Sequence, residues 1–142
     1  MLDEIKKEAQ ALVEKQSWIR KGYHDLLETM NEQVTEIEGD FLVRGTLDEI
    51  VDEYYSDVRE TYFLTFSGKS DAEFYIQLGI EGYNGLEYKT FALDTLEIAK
   101  VRKCVMGMPK AIEEILSKLK KLGEKYQEAI DKVAEMTDKL LS

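Results

Sequence analysis

Apolar positions recur at alternating steps of three and four at both ends of the chain. Toward the C-terminus, Ile112, Ile115, Leu119, Leu122, Tyr126, Ala129, Val133, Met136 and Leu140 form one unbroken heptad seam, the pattern that pairs helices in coiled coils. Toward the N-terminus, Leu2, Ile5, Ala9, Leu12, Ile19, Tyr23, Leu26, Met30 and Ile37 keep a single heptad phase, with Gln16 and Gln33 as polar interruptions. Val13, Leu27 and Val34 widen that stripe, which suits a helix packed against more than one neighbour. These patterns predict long helices over 1–38 and 108–142, the first ended by Gly39-Asp40 and the second opened by Pro109. Each would extend ~50 Å. Their near-equal lengths favour an antiparallel pair within one chain. The alternative is pairing between copies, and the wide N-terminal stripe favours it, so a homodimer is expected. Leu12, Ile19, Leu26, Ile115, Leu119, Leu122 and Val133 are the expected packing residues.

Between the seams, over 39–107, the period changes from near 3.6 to 2. Phe41-Leu42-Val43-Arg44 and Thr61 to Phe66 have strand composition. Thr46-Leu47-Asp48-Glu49 is a capping box and predicts a short helix to about Tyr55. After the Ser67–Asp71 loop, Phe74, Ile76, Leu78 and Ile80 alternate with Tyr75, Gln77, Gly79 and Glu81. Asn84-Gly85 is a two-residue hairpin signal. Centred there, the turn would set Tyr83 against Leu86, Ile80 against Lys89, Leu78 against Phe91 and Ile76 against Leu93. Opposed residues share a face, so Phe91 and Leu93 join the Ile76 face, while Tyr75, Gln77, Tyr88 and Thr90 occupy the other. Asp94-Thr95-Leu96-Glu97 should cap a further helix to about Met106, broken by Gly107-Met108-Pro109. The expected fold is a single α+β domain: two long helices flanking a small antiparallel sheet with short helices.

Composition narrows the class. With 142 residues, 44% of them hydrophobic, the chain can bury a core. Its net charge of -10 argues against a nucleic-acid binder or an anionic-membrane ligand acting through bulk electrostatics. The charge is uneven: residues 39–94 hold 12 acids and 4 bases, net -8, whereas residues 95–142 hold 8 acids and 10 bases, net +2. The lone Cys104 excludes an internal disulfide or a multi-cysteine zinc site. No apolar run approaches the ~20 residues of a membrane span, and the acidic N-terminus is unlike a signal peptide. A cytoplasmic protein is expected, in host cytoplasm if the source is viral.

No constellation specifies a reaction. Asp48, Glu49, Asp52, Glu53 and Asp57 would line faces of the predicted helix but lack the spacing of a calcium loop. They form a solvated face or a surface for a cationic partner. His24 could share a face with Glu28, yet Lys21 stands where a Glu-x-x-His metal motif needs its acid. Cys104 sits beside Arg102 and Lys103, with no base to make it a nucleophile. The glycines at 79, 82 and 85 lie in a hairpin, not between strand and helix as a phosphate loop would. Phe63, Tyr75 and Tyr88 could stack nucleic-acid bases, but such platforms lie in basic surroundings, and this segment is acidic. The expected function is therefore a non-enzymatic protein–protein interaction module, an adaptor or chaperone-like factor. It would dimerise through the helices and hold another protein on its acidic, aromatic head, with no cofactor and no metal. The alternative is an acidic nucleic-acid mimic, of the phage anti-defence type, that occupies the basic groove of a nucleic-acid-binding protein.

Overall fold

The computed structural model describes every residue except 52–58 and 83. Its elements are α1 (Leu2–Val34), β1 (Leu42–Val51), β2 (Arg59–Ser67), β3 (Glu73–Gly82), β4 (Gly85–Phe91), a 3-10 turn (Leu93–Thr95) and α2 (Ile98–Leu141). The strands form one antiparallel sheet in the order β1-β2-β3-β4. Each strand thus pairs with its sequence neighbour, and short closures keep the loop entropy low. The fold is α+β, as the change of period predicts.

Alternation decides which face is covered. Leu64 opposes Ile76, Tyr62 opposes Leu78, and Phe66 opposes both Phe74 and Val43, giving one continuous apolar face. Both helices lie on it: Tyr23 and Leu27 from α1, and Val101, Cys104, Met108, Ala111 and Ile115 from α2, complete the core.

Four local expectations are corrected. The capping-box segment at Thr46 is strand through Val51, not helix, because nine ladder pairs with β2 outweigh a short helix that must first nucleate; the rest of that predicted helix lies outside the described residues. The hairpin register is shifted by two. Gly82 pairs with Gly85, Leu78 with Lys89 and Ile76 with Phe91, while the expected Tyr83 pairing falls on an undescribed residue. A shift of two preserves side-chain parity, so Phe91 keeps its place on the Ile76 face, whereas Leu93 leaves the sheet for the 3-10 turn. Third, α1 stops at Val34 rather than at Gly39, because the following segment is stitched to the β2–β3 loop: Ala72 N–H donates to the Ile37 carbonyl and Gly39 N–H to the Gly68 carbonyl, both at 2.9 Å.

Finally, Gly107-Met108-Pro109 does not break a helix. It lies inside α2, which is continuous over 44 residues. A Cβ on Gly107 would collide with the Leu47 carbonyl, and one on Gly45 with the Ala111 carbonyl. These two glycines let helix and strand backbones touch, and Gly107 is there for contact rather than termination. Pro109 is exposed; its missing N–H forgoes one helical bond within a helix otherwise held by the sheet.

The docking contacts fix direction. Along α1, Arg20 Nη2 donates to the Leu96 carbonyl at 2.8 Å, Tyr23 Oη to Met108 Sδ at 3.3 Å, and Asn31 exchanges two bonds with the Phe74 backbone. Along α2, Gly107 meets Leu47, Ala111 meets Gly45, and Lys118 Nζ donates to the Arg44 carbonyl at 2.6 Å. Val43, Phe66 and Phe74 form one row at the end of the sheet, and both helices run toward it. They are therefore parallel, not an antiparallel hairpin. The undocked N-terminal half of α1 and the undocked C-terminal half of α2 leave the sheet from opposite ends. Among the described residues, no helix is long and apolar enough to cross a membrane.

Candidate functional site

β1 carries a bulge at Leu47, where the ladder steps from Thr46–Phe63 to Asp48–Tyr62. A bulge turns two consecutive residues to one side. Leu47 and Asp48 thus both face the helices. Asp48 Oδ2 is buried and, among the described residues, has no hydrogen-bond partner. Beside it, burial pushes the Cys104 thiol up to about 12; the Asp48 charge adds to this and Lys100 opposes it. Burial likewise raises Tyr62, with smaller contributions from Cys104, Glu60, Glu97 and Asp48. This region holds neutral thiol and phenol groups against a carboxylate, which is the opposite of an activated cysteine. Arg102 and Lys103 are exposed while Cys104 is fully buried.

Asp48 and Glu49 therefore lie on a strand and not on a helix. Asp48 points inward, Glu49 is exposed, and Asp52, Glu53 and Asp57 lie outside the described residues. Of the expected aromatics, Phe63 and Tyr88 come together on the opposite, uncovered face of the sheet. The Phe63 and Tyr88 rings lie 6.0 Å apart, and Tyr75 follows on the same face of β3. Between them runs a hydrogen-bond network that polar positions of the alternation supply but that no motif announces. Arg44 Nε and Thr65 Oγ1 each donate to Gln77 Oε1 at 2.9 Å, and Gln77 Nε2 donates to Thr90 Oγ1 at 3.4 Å. Thr65 is 0% and Gln77 9% exposed, although no helix covers this face; the side chains around them do so. The Arg44 guanidinium lies 3.7 Å from the centroid of the Tyr88 ring, a cation–π contact that holds its plane in place.

One cleft joins this face to α2. It has a volume of about 410 Å³, and its walls are Leu42, Val43, Arg44, Phe63 and Tyr88 from the sheet and Lys118, Lys121, Leu122 and Lys125 from the helix. All four charged residues are basic. The acidic surroundings expected for these aromatics are thus replaced locally by cations, because Lys118, Lys121 and Lys125 recur at helical spacing on the side of α2 that flanks β1. Lys118 is anchored: it pairs with Glu114 at 3.1 Å, and Glu114 Oε2 accepts the Thr46 N–H at 2.9 Å. Burial alone would raise the Glu114 carboxyl, but the Thr46 amide and Lys118 outweigh it and hold the group below its ordinary range. A second groove, of about 630 Å³, has the opposite sign, with Glu28, Glu32 and Asp94 among its walls.

His24 lies 3.6 Å from Asp25 and 3.8 Å from Glu28. Among the described residues these three form the one group with metal-ligating atoms close together, and all are exposed. The packing residues divide into two sets. Ile115 is buried, and Ile19, Leu119 and Leu122 pack partly against the core, whereas Leu12, Leu26 and Val133 are exposed. The chain matches no known protein family, no curated protein and no solved structure.

Proposed function

We propose that this chain is a non-enzymatic protein–protein interaction module whose first partner is a second copy of itself, joined through α2. The carrying observation is surface area. The chain exposes 10846 Å², whereas a compact monomer of 16.4 kDa exposes roughly 7,500 Å². The excess, roughly 3,300 Å² per chain, exceeds the roughly 1,000–2,500 Å² that each partner of an obligate homodimer buries and so leaves ample surface for one.

The undocked helix halves carry exposed apolar side chains. Ile112, Leu116, Tyr126, Ile130, Val133 and Leu140 are all exposed on α2. They form an outward stripe beside the one that packs on the sheet. Gly123 lies in the same stripe, and a Cβ there would meet nothing within 4 Å. A glycine inside a helix costs ~1 kcal/mol relative to alanine; a second helix approaching closely gives that residue a use.

Charge sets the orientation. Lys118, Lys125, Lys132 and Lys139 recur every seventh residue on one flank of the seam. Antiparallel self-pairing would set this column against itself, whereas a parallel pair keeps the two columns on opposite flanks. Two parallel α2 helices would bring the two heads side by side. Light scattering at micromolar concentration tests the assembly: twice the 16.4 kDa chain mass is expected, and the mass of a single chain would overturn it.

A further inference from the structure

We infer that the cleft between α2 and the uncovered sheet face binds a compact aromatic anion, a nucleoside diphosphate by chemical class. The cleft is complete within one chain, so its occupancy does not depend on dimerisation. Three observations converge on this ligand. The first is charge. Arg44, Lys118, Lys121 and Lys125 line one cavity with no carboxylate among its walls, in a chain of net charge -10. Lys118 is neutralised by Glu114, but Lys121 and Lys125 have no ion-pair partner among the described residues. The three cations left uncompensated among the described residues, Arg44, Lys121 and Lys125, repel one another around one cavity, and a multiply charged anion relieves that repulsion.

The second observation is shape. Phe63 and Tyr88 supply ring surface beside the cations. The Arg44 guanidinium is fixed flat by Tyr88 beneath it and by Gln77 at its edge. A planar guanidinium, pre-organised on one aromatic ring, offers its other face as a stacking surface for a heterocycle. Inorganic anions alone would leave it unused. Phosphoryl groups would lie toward Lys121 and Lys125, and the base toward Arg44 and Phe63.

The third is size. About 410 Å³ falls at the small end of ligand cavities and suits one nucleotide. The whole-chain field also favours a compact ligand, since a long polyanion would carry most of its phosphates across an acidic surface.

The test is calorimetric titration with ADP, inorganic pyrophosphate and a single-stranded oligothymidylate, on the parent chain and two variants. Lys121→Glu changes an exposed helix position and should weaken ADP and pyrophosphate alike, by about tenfold. Tyr88→Leu should weaken ADP several-fold and leave pyrophosphate unchanged; retained pyrophosphate binding is also the proof that this variant is folded. Rising salt should weaken all binding. The inference is overturned if ADP does not bind at millimolar concentration, or if Lys121→Glu leaves ADP affinity intact. It is also overturned if pyrophosphate binds as well as ADP, or if the oligonucleotide binds more tightly and displaces ADP.

Discussion

Two glycines of the same helix respond oppositely to one added methyl group. Gly107→Ala would drive a Cβ into the carbonyl of Leu47, the bulged residue of β1, held between the ladder pairs of Thr46 and Asp48. A loss of about 1–3 kcal/mol is expected, read as a fall in melting temperature, despite the better helix propensity of alanine. Gly123 is open on its own chain, so Gly123→Ala should stabilise a lone chain by up to ~1 kcal/mol. If Gly123 meets a second copy, the same change should instead raise the dimer dissociation constant, which sedimentation measures. Cys104 carries a pH signature. Its folded thiol is pushed from the usual 9.0 to about 12, so between those values the native state keeps a proton that the unfolded chain has lost. Stability must therefore fall as pH rises through that window, and the raised Tyr23 and Tyr62 add in the same direction above their usual 10.0. Urea unfolding of Cys104→Ala should show a shallower alkaline decline from a lower neutral starting point, because its methyl group leaves a small cavity.

At the scale of elements, the junction between β1 and α2 decides most of the architecture. Thr46, which looks like a helix cap in sequence, gives its N–H to Glu114 instead, and Glu114 holds Lys118 against the Arg44 carbonyl. Glu114→Ala should cost ~1 kcal/mol, the ion-pair share being trimmed by solvent at this half-exposed site. Because the Glu114 carboxyl is held below its usual range, its contribution is complete above the usual value and disappears as pH falls through the folded one. The gap between parent and variant in thermal melts should accordingly close on acidification. The sheet was legible at β2 from its β-branched and aromatic composition, at β3 from alternation and at β4 from the Asn84-Gly85 turn. β1 was legible only at its start, Leu42 to Arg44; from Thr46 on, the capping box points to a helix and only the partner strand decides otherwise. The bulge that turns Asp48 inward was not legible, because no residue pattern distinguishes it from continued alternation.

Assembly is a property of the whole molecule. The double variant Ile130→Asp, Val133→Asp places charge on exposed positions of α2 that touch nothing in the docked core. It should yield a folded monomer, with the sheet's circular-dichroism signal retained and the scattering mass halved. Retention of the parent mass would move the interface elsewhere. The candidate cleft belongs to this scale too: Arg44, Phe63 and Tyr88 come from three strands and the lysines from a helix. Their juxtaposition is invisible to a reading that averages charge over segments, which assigns acidity to 39–94 and a slight positive charge to 95–142.

The sequence by itself determined the two helices, the change of period between them, three of the four strands with the start of the other, and the face on which Phe74, Ile76, Leu78 and Phe91 lie. Those features follow from local periodicity, which any single chain must satisfy to bury its apolar side chains. Tertiary structure alone decided that Gly107-Met108-Pro109 continues a helix, that α1 and α2 run parallel and leave from opposite ends, and that an acidic chain gathers four cations around two aromatic rings. Each of these depends on residues far apart in sequence meeting in the fold: Gly45 on Ala111 and Gly107 on Leu47 for α2, and Tyr23 on Met108 and Asn31 on Phe74 for α1. Such long-range contacts select among local preferences that are individually too weak to decide the matter.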